Sequence, residues 1–249
     1  MLATIKMTNR ISLIVLSLSI LLSCKKDCRI IKDTHKNGNK KIVHIYKDCN
    51  DTNYYLRQFY FANGQLGNEG FFKDNKKIGR FKSWYDNGQI EADWDNLNGN
   101  ENGFIQCWFK NGKIKKVGTL INGIENGIHK TWFENGQQES EGNFMEGKKE
   151  GLWKYWNETL EYKERNYHND SLDGQTKEIY NDNSQVLGQY KNSKEFGKWI
   201  WKDSIGNITQ IAFYNTGVYD GITVQYYPNG NKRKEINYKK GKIISEKEY

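Results

Sequence analysis

Residues 103–126 read GFIQCWFKNGKIKKVGTLINGIEN, and residues 127–150 read GIHKTWFENGQQESEGNFMEGKKE. Both segments share one layout: a glycine, four residues, two aromatic residues, one further residue and then Asn-Gly. A polar run that ends in an apolar residue and another glycine completes the unit. Because self-similarity at a fixed period is the signature of repeat architectures, this unit is the feature that decides the fold.

The spacing extends well beyond these two units. Asn-Gly recurs at residues 63–64, 87–88, 111–112 and 135–136. A second glycine, which we take to begin each unit, recurs every 23 or 24 residues, at Gly79, Gly103, Gly127, Gly151, Gly174, Gly197 and Gly221. An earlier unit begins at Tyr55, and a degenerate one begins at Arg29. The sequence therefore predicts about nine units of 23–24 residues.

Each unit is predicted to be a β-hairpin. Asn-Gly between two β-prone runs indicates a type I′ turn, which requires positive φ at both central residues. Because adjacent strand residues point to opposite faces, the aromatic pair before the turn would offer one ring to each face. The first members of the pairs should then form a ladder on one face: Trp84, Trp108, Trp132 and Trp156. The second members should form part of a ladder on the other: Tyr85, Phe109 and Phe133.

The hairpins together predict an all-β fold, a single-layer antiparallel meander of tandem β-hairpin repeats over residues 29–249 that twists into a ribbon. The composition agrees, since 14% of the residues are aromatic and the chain has only one proline. Three units lack a regular Asn-Gly, near residues 155–158, 181–184 and 201–207, and should have less regular turns. Ile243 and Ile244 suggest a final capping strand.

The N-terminus has the layout of a targeting segment. Lys6 and Arg10 precede an apolar stretch at residues 11–22, which is too short for a typical membrane-spanning helix. The stretch ends in Leu21-Leu22-Ser23-Cys24 and is similar to a lipobox. That resemblance implies a lipoprotein signal peptide at residues 1–23, a lipid on Cys24 and a tether at residues 24–28. An ordinary signal peptide and an uncleaved anchor are the alternatives.

Export would place the remaining cysteines in an oxidising compartment. Cys28 and Cys49 flank the first hairpin, so a disulfide between them is possible, whereas Cys107 is expected to be a small buried hydrophobic residue. Neither the cysteines nor the four histidines have metal-ligand spacing, and no cofactor is expected. His129 stands where other units have Phe81 or Trp153, which indicates a histidine packed on the sheet.

The repeated glycine, aromatic pair and Asn-Gly resemble MORN repeats, specifically the bacterial MORN variant. The resemblance covers roughly residues 29–245 and is clearest at residues 55–150. Proteins made of these repeats include YwqK-like toxin–antitoxin system antitoxins, and MORN arrays are linked to membrane and protein binding. The resemblance therefore implies a repeat array that binds a partner, anchored at the cell envelope by its lipid.

No catalytic motif such as GxSxG, a Walker loop or HExxH occurs, so we expect a non-enzymatic interaction protein. The net charge of +8 is spread among interspersed acids and bases, and no nucleic-acid partner is expected. A protein of the envelope is the first expected partner. A carbohydrate or peptidoglycan strand stacked on exposed rings is the alternative. The candidate aromatic residues for binding or packing are Trp84, Trp108, Trp132, Trp156, Trp201 and Tyr226.

Overall fold

The computed structural model describes residues 27–159 and 161–249. The predicted signal peptide and the predicted lipid site at Cys24 lie outside the described residues. Every strand that the structure describes belongs to one antiparallel sheet, in which each strand pairs with its neighbours in the chain. The prediction of an all-β, single-layer meander is therefore confirmed.

The described residues form twenty strands. Their bounds are β1 Cys28–Thr34, β2 Lys40–Tyr46, β3 Tyr54–Tyr60, β4 Leu66–Lys73, β5 Lys76–Trp84, β6 Ile90–Leu97, β7 Asn100–Trp108, β8 Ile114–Ile121, β9 Ile124–Trp132, β10 Gln138–Met145, β11 Lys148–Trp156, β12 Tyr162–His168, β13 Ser171–Ile179, β14 Gln185–Lys191, β15 Lys194–Lys202, β16 Ile208–Asn215, β17 Val218–Tyr219, β18 Gly221–Tyr226, β19 Lys232–Lys239 and β20 Lys242–Glu248.

These strands make nine successive hairpins, from β1–β2 to the ninth, whose first strand is interrupted at Asp220 and divided into β17 and β18. Strand β20 pairs with β19 and closes the described array, at the place where Ile243 and Ile244 suggested a cap. The three units without a regular Asn-Gly are hairpins as predicted, formed by β11–β12, β13–β14 and β15–β16.

The loop inside each regular hairpin is not the predicted type I′ turn. In the fourth hairpin, the Gly112 amide donates to the Phe109 carbonyl at 2.9 Å, and the Phe109 amide donates to the Lys113 carbonyl at 2.8 Å. Gly112 has a φ of +86°, while Asn111 keeps a negative φ. This is a type I turn followed by a glycine in the left-handed region. The type I′ prediction for the four Asn-Gly pairs is wrong, because only the glycine needs positive φ.

Type I′ turns occur instead between consecutive hairpins. Asn122 and Gly123, which join β8 to β9, have φ values of 53° and 81°. The equivalent pairs are Asp74-Asn75, Asn98-Gly99, Glu146-Gly147, Asn169-Asp170, Asn192-Ser193, Thr216-Gly217 and Lys240-Gly241, all with positive φ at both residues. Two such residues match the twist of the flanking strands, so these turns are short and tight.

The second repeated glycine lies inside a strand, so the prediction that it begins each unit is wrong. Gly103 is the fourth residue of β7 and has a φ of 97°. Trp94 pairs with Ile105 and Asn96 pairs with Glu101, so the one residue of β6 between these pairs, Asp95, lies opposite three residues of β7, 102–104. Such an irregularity is a β-bulge, and glycine accepts the left-handed backbone that it requires.

One face of the sheet carries rings that contact one another from strand to strand, here called the aromatic spine. Phe81 and Trp153 are its most deeply covered members in their units, at 4% and 3% exposure. The spine has three clusters. They consist of Tyr46, Tyr55, Phe72, Phe81 and Trp94; of His129, Phe144, Trp153, Tyr155 and Tyr167; and of Tyr190, Trp199, Trp201, Tyr214, Tyr219 and Tyr238.

In the spine, a large ring on one strand lies against a glycine on the neighbouring strand, which leaves room for it. The pairs Gly70–Phe81, Gly118–His129 and Gly142–Trp153 face one another in register or flank the same bulge. A Cβ atom on any of these glycines, or on Gly188 beneath Trp199, would overlap the ring. Some large side chains of this face also lie opposite smaller ones: Ile105 faces Trp94, and Thr176 faces Arg165.

Replacing Gly142 by alanine should lower the free energy of unfolding by about 1–3 kcal/mol, because the new methyl group overlaps the indole of Trp153. In a Trp153→Thr background the same change should be nearly neutral, because the indole that the new methyl group overlaps is gone. Threonine is chosen because Thr176 already occupies a spine-face position, opposite Arg165. Urea denaturation of the four variants measures this coupling. Equal losses in both backgrounds would mean that the ring is not the reason for the glycine.

Candidate interaction surface

The six candidate aromatic residues lie near the loop ends of their strands and are all partly buried. Five of them are the last residues of strands: Trp84, Trp108, Trp132, Trp156 and Tyr226. Trp201 is the last but one residue of β15, so it points to the opposite face, where its ring lies 6.1 Å from that of Trp199. The set is therefore divided between the two faces of the sheet.

Tyr85, Phe109 and Phe133 do not form the predicted second ladder. Each follows the last residue of a strand and is the first residue of a loop. The Tyr85 hydroxyl donates to the Trp108 carbonyl of the next hairpin at 2.9 Å. The face opposite the tryptophans is lined by the aromatic spine instead.

On the tryptophan face, charged pairs connect neighbouring strands. Arg80 donates two hydrogen bonds of 2.6 Å to the two carboxylate oxygens of Asp93, and Lys130 lies 3.1 Å from Glu141. The Arg80 guanidinium is largely exposed, so such pairs contribute little to stability. They keep the middle of this face polar.

At the turn end, the same face carries an exposed apolar strip, here called the turn-end stripe. Its members are Leu97, Phe104, Ile121, Ile124, Ile128, Met145 and Leu152, which are 45–56% exposed. Ile121 and Ile124 face each other on either side of one type I′ turn. Phe104 pairs with Thr119, which is two residues from Ile121 on the same face. Large apolar side chains thus follow one another over four hairpins.

The sequence contained a signal for this stripe. Leu97, Ile121 and Met145 are each 24 residues apart, and so are Phe104, Ile128 and Leu152. The periodicity could not distinguish a buried row from an exposed one, because a single-layer sheet leaves both faces without a covering layer. Extended exposed apolar patches on monomeric proteins mark interaction sites.

His129 is packed on the spine face, as the sequence indicated, at 2% exposure. Its Nε2 lies 2.9 Å from the Thr119 carbonyl oxygen. Its Nδ1 has no hydrogen-bond partner and lies 3.7 Å from Glu125 Oε1. The Glu125 carboxylate pairs with Lys116. Burial lowers the pKa of His129.

The cysteines of the described residues fall into two environments. Cys28 and Cys49 are joined by a disulfide with Cα atoms 5.5 Å apart, which ties β1 to the connection after β2. Cys107 is a free, partly buried thiol whose pKa is raised by burial.

In the part of the chain that the structure describes, no group of three or more His, Cys, Asp or Glu side chains is placed to hold a metal ion. A search of the described residues finds no helix with the length and apolar character needed to cross a bilayer.

Three segments of the chain match the family model of the MORN repeat variant: residues 77–94, 125–145 and 219–240. They fall in the third, fifth and ninth hairpins, which confirms the prediction of MORN-type repeats. Repeats of this kind generally serve protein interaction or scaffolding. Comparison with curated proteins gives no match.

Because the pKa of His129 lies below its usual value of about 6.5, the unfolded chain binds more protons than the folded chain under mildly acidic conditions. Stability should therefore fall as pH drops below about 6.5 and level off below the folded pKa. His129→Phe, which copies Phe81, should reduce this loss between pH 7.5 and pH 5.5.

Urea midpoints at these two pH values measure the effect. Part of the loss should remain in the variant, because burial also lowers the pKa of His44. An unchanged difference between the two pH values in His129→Phe would contradict the assignment of acid sensitivity to His129.

Proposed function

We propose that this MORN-repeat chain is a non-enzymatic lipoprotein of the bacterial cell envelope that binds a partner protein through the turn-end stripe. The observation that carries the proposal is the row of apolar side chains, from Leu97 to Leu152, exposed on adjacent turns. Water contact with so many large apolar groups is unfavourable, and a protein with an apolar surface of its own would cover them.

The sheet itself suits a scaffold. Consecutive hairpins place equivalent residues at a regular spacing, since each hairpin adds two strands about 4.8 Å apart. Ile128 and Phe104 occupy the same position in neighbouring repeats, so a partner can engage several repeats with one repeated mode of contact. This supports a binding surface built from many similar contacts rather than one deep pocket.

Anchoring at a membrane rests on the N-terminal sequence. Lys6, Arg10 and the apolar residues 11–22 lead to Ser23-Cys24, where the lipid would be attached. The Cys28–Cys49 disulfide supports export, because disulfides persist in oxidising compartments. The anchor places the array at a membrane surface, with the outer membrane or the cell surface favoured over the cytoplasm.

An antitoxin-like role is the finer form of this proposal. Its partner would be a toxic protein in the envelope or from a neighbouring cell, since a cytoplasmic toxin would not meet an exported lipoprotein. A toxin gene adjacent to this gene would support the role, and an unrelated gene neighbourhood would count against it.

Two stripe variants, Phe104→Glu and Ile128→Glu, should weaken binding of the partner by at least about tenfold, equivalent to about 1.4 kcal/mol. The partner is first identified by cross-linking in cells and purified, and its dissociation constant is then measured with each variant. Ile205→Glu is the matched control, because Ile205 is 82% exposed in a loop outside the stripe.

Equal affinity of all three variants would exclude the stripe as the binding surface. Light scattering on the purified full-length chain tests a second copy as the occupant. A concentration-dependent dimer that Ile128→Glu abolishes would assign the stripe to self-association instead of to a partner.

Cys24→Ser should remove the lipid and release the protein from the membrane fraction. Metabolic labelling with palmitate and fractionation of cells measure both effects, and Cys107→Ser serves as the control that retains the label. Membrane retention and labelling of Cys24→Ser would contradict the lipoprotein assignment.

A further inference from the structure

Asparagine side chains connect neighbouring loops in the first half of the array. The Asn87 Oδ1 accepts from the Gln89 amide at 3.1 Å, while its Nδ2 donates to the Lys110 carbonyl in the next loop at 3.3 Å. Asn37, Asn63 and Asn111 donate in the same way to the carbonyls of Ala62, Asp86 and Glu134, at 2.9–3.1 Å. These bonds, here called asparagine staples, hold the first five loops side by side.

The staples cannot form from the sixth, seventh and eighth loops. The position of the stapling asparagine is held there by Thr159, Asp182 and Ile205. None of these side chains has an amide N–H that could reach the next loop. Asp182 instead accepts from the Ser184 amide of its own loop at 2.9 Å.

A cleft of about 700 Å³ lies among these three loops. Two rings, Tyr180 and Trp201, contribute to its walls, together with the carboxylates of Glu161, Asp182 and Asp203. Donor groups are also present, on Gln185 and Lys202 among others. The volume is within the ~300–1,000 Å³ typical of small-ligand sites.

Trp201 holds a position in the repeat that is occupied by a ring in one other of these hairpins. The equivalent residue, four positions after the bulge glycine, is Ser83, Cys107, Thr131, Tyr155, Glu178 or Gln225. The Tyr155 hydroxyl donates to the Tyr167 hydroxyl on the neighbouring strand. Trp201 pairs with Val186 and Gln210, so no ring faces it on the neighbouring strands. A large ring with no ring opposite it on the neighbouring strands therefore lies at the wall of the cleft, where the loops also lack their staples.

We infer that the cleft between the sixth, seventh and eighth loops binds a neutral oligosaccharide, with a sugar ring stacked on Trp201. The apolar face of a pyranose fits an aromatic ring, and its hydroxyl groups both donate and accept hydrogen bonds. The cleft offers acceptors on Asp182 and Asp203 and donors on Gln185 and Lys202, which is the mixed set that hydroxyls require.

The carboxylates are held in place by the loops that carry them. Asp203 Oδ1 accepts from the amides of Ile205 at 3.1 Å and Asn207 at 2.8 Å. Glu161 Oε2 accepts from Asn157 Nδ2 at 2.7 Å. A carboxylate can accept about four hydrogen bonds, so each keeps capacity for a ligand while its position is fixed. This site is separate from the turn-end stripe, at the opposite ends of the strands.

Isothermal titration of the purified full-length protein with chitohexaose, cellohexaose, maltohexaose and xylohexaose tests the inference. At least one of these should bind, and Trp201→Ala should weaken that binding by about tenfold or more. Trp84→Ala is the matched control, since Trp84 is a partly buried tryptophan outside the cleft. Its affinity should equal that of the unaltered protein.

Asp182→Ser, which removes the carboxylate without supplying a stapling amide, and Trp201→Phe provide milder variants if Trp201→Ala does not fold. Both should lower the affinity for the sugar while the circular dichroism spectrum stays unchanged.

Binding of none of the four sugars, or equal binding by Trp201→Ala and the unaltered protein, would overturn the inference. So would tighter binding of a hexalysine peptide that Asp182→Ser and added salt both weaken, because the cleft would then be a site for cationic peptides. Phe104→Glu should leave sugar binding unchanged, so failure here is distinguishable from failure of the stripe.

Discussion

The fold depends on the packing of a large ring against a backbone without a side chain on the neighbouring strand. A sheet with one layer has no facing sheet or helix to cover its apolar groups, so its side chains must cover one another. Trp153 achieves this by lying over Gly142, and Trp199 by lying over Gly188. Any side chain on those glycines would lift the ring away from the sheet and expose it to water.

This packing also determines which surface is left for binding. The spine covers one face, and the other face is polar at its centre, with Arg80 and Asp93 as one of its charged pairs. The apolar side chains of the turn-end stripe are exposed near the type I′ turns, where Ile121 and Ile124 meet. A tight turn brings its flanking residues together at the edge of the tryptophan face, on the side of the sheet opposite the spine.

Repetition of the hairpin stabilises the array, and departures from the repeat make individual loops different from the others. Each hairpin contacts its neighbours alone, so stability in such a chain is close to a sum over adjacent pairs. The staple from Asn87 to the Lys110 carbonyl is one such interaction between neighbouring hairpins, at their loop ends. Asp182 and Ile205 have no side-chain amide at this position and cannot form this staple.

The sequence alone determined the repeat, its nine hairpins and the antiparallel meander, because a 24-residue period of glycine, aromatic residues and Asn-Gly allows few other folds. It did not reveal which turn each pair adopts: Asn111 has negative φ, whereas Glu146, a poor turn residue, has positive φ. Local propensity suggests a turn, but the register of the two strands selects its type.

Only the tertiary structure decided which aromatic residues pack and which remain free. Trp132 and Phe144 are both aromatic residues of one hairpin, yet only Phe144 contacts rings of the spine, with His129 and Trp153 as its partners. That choice depends on what the next strand places opposite each ring, and glycine at residue 142 is meaningful only once Trp153 is known to face it. Whether a ring packs against a glycine depends on which two residues the strand register places opposite each other. The pattern of residue types along one chain does not contain that information.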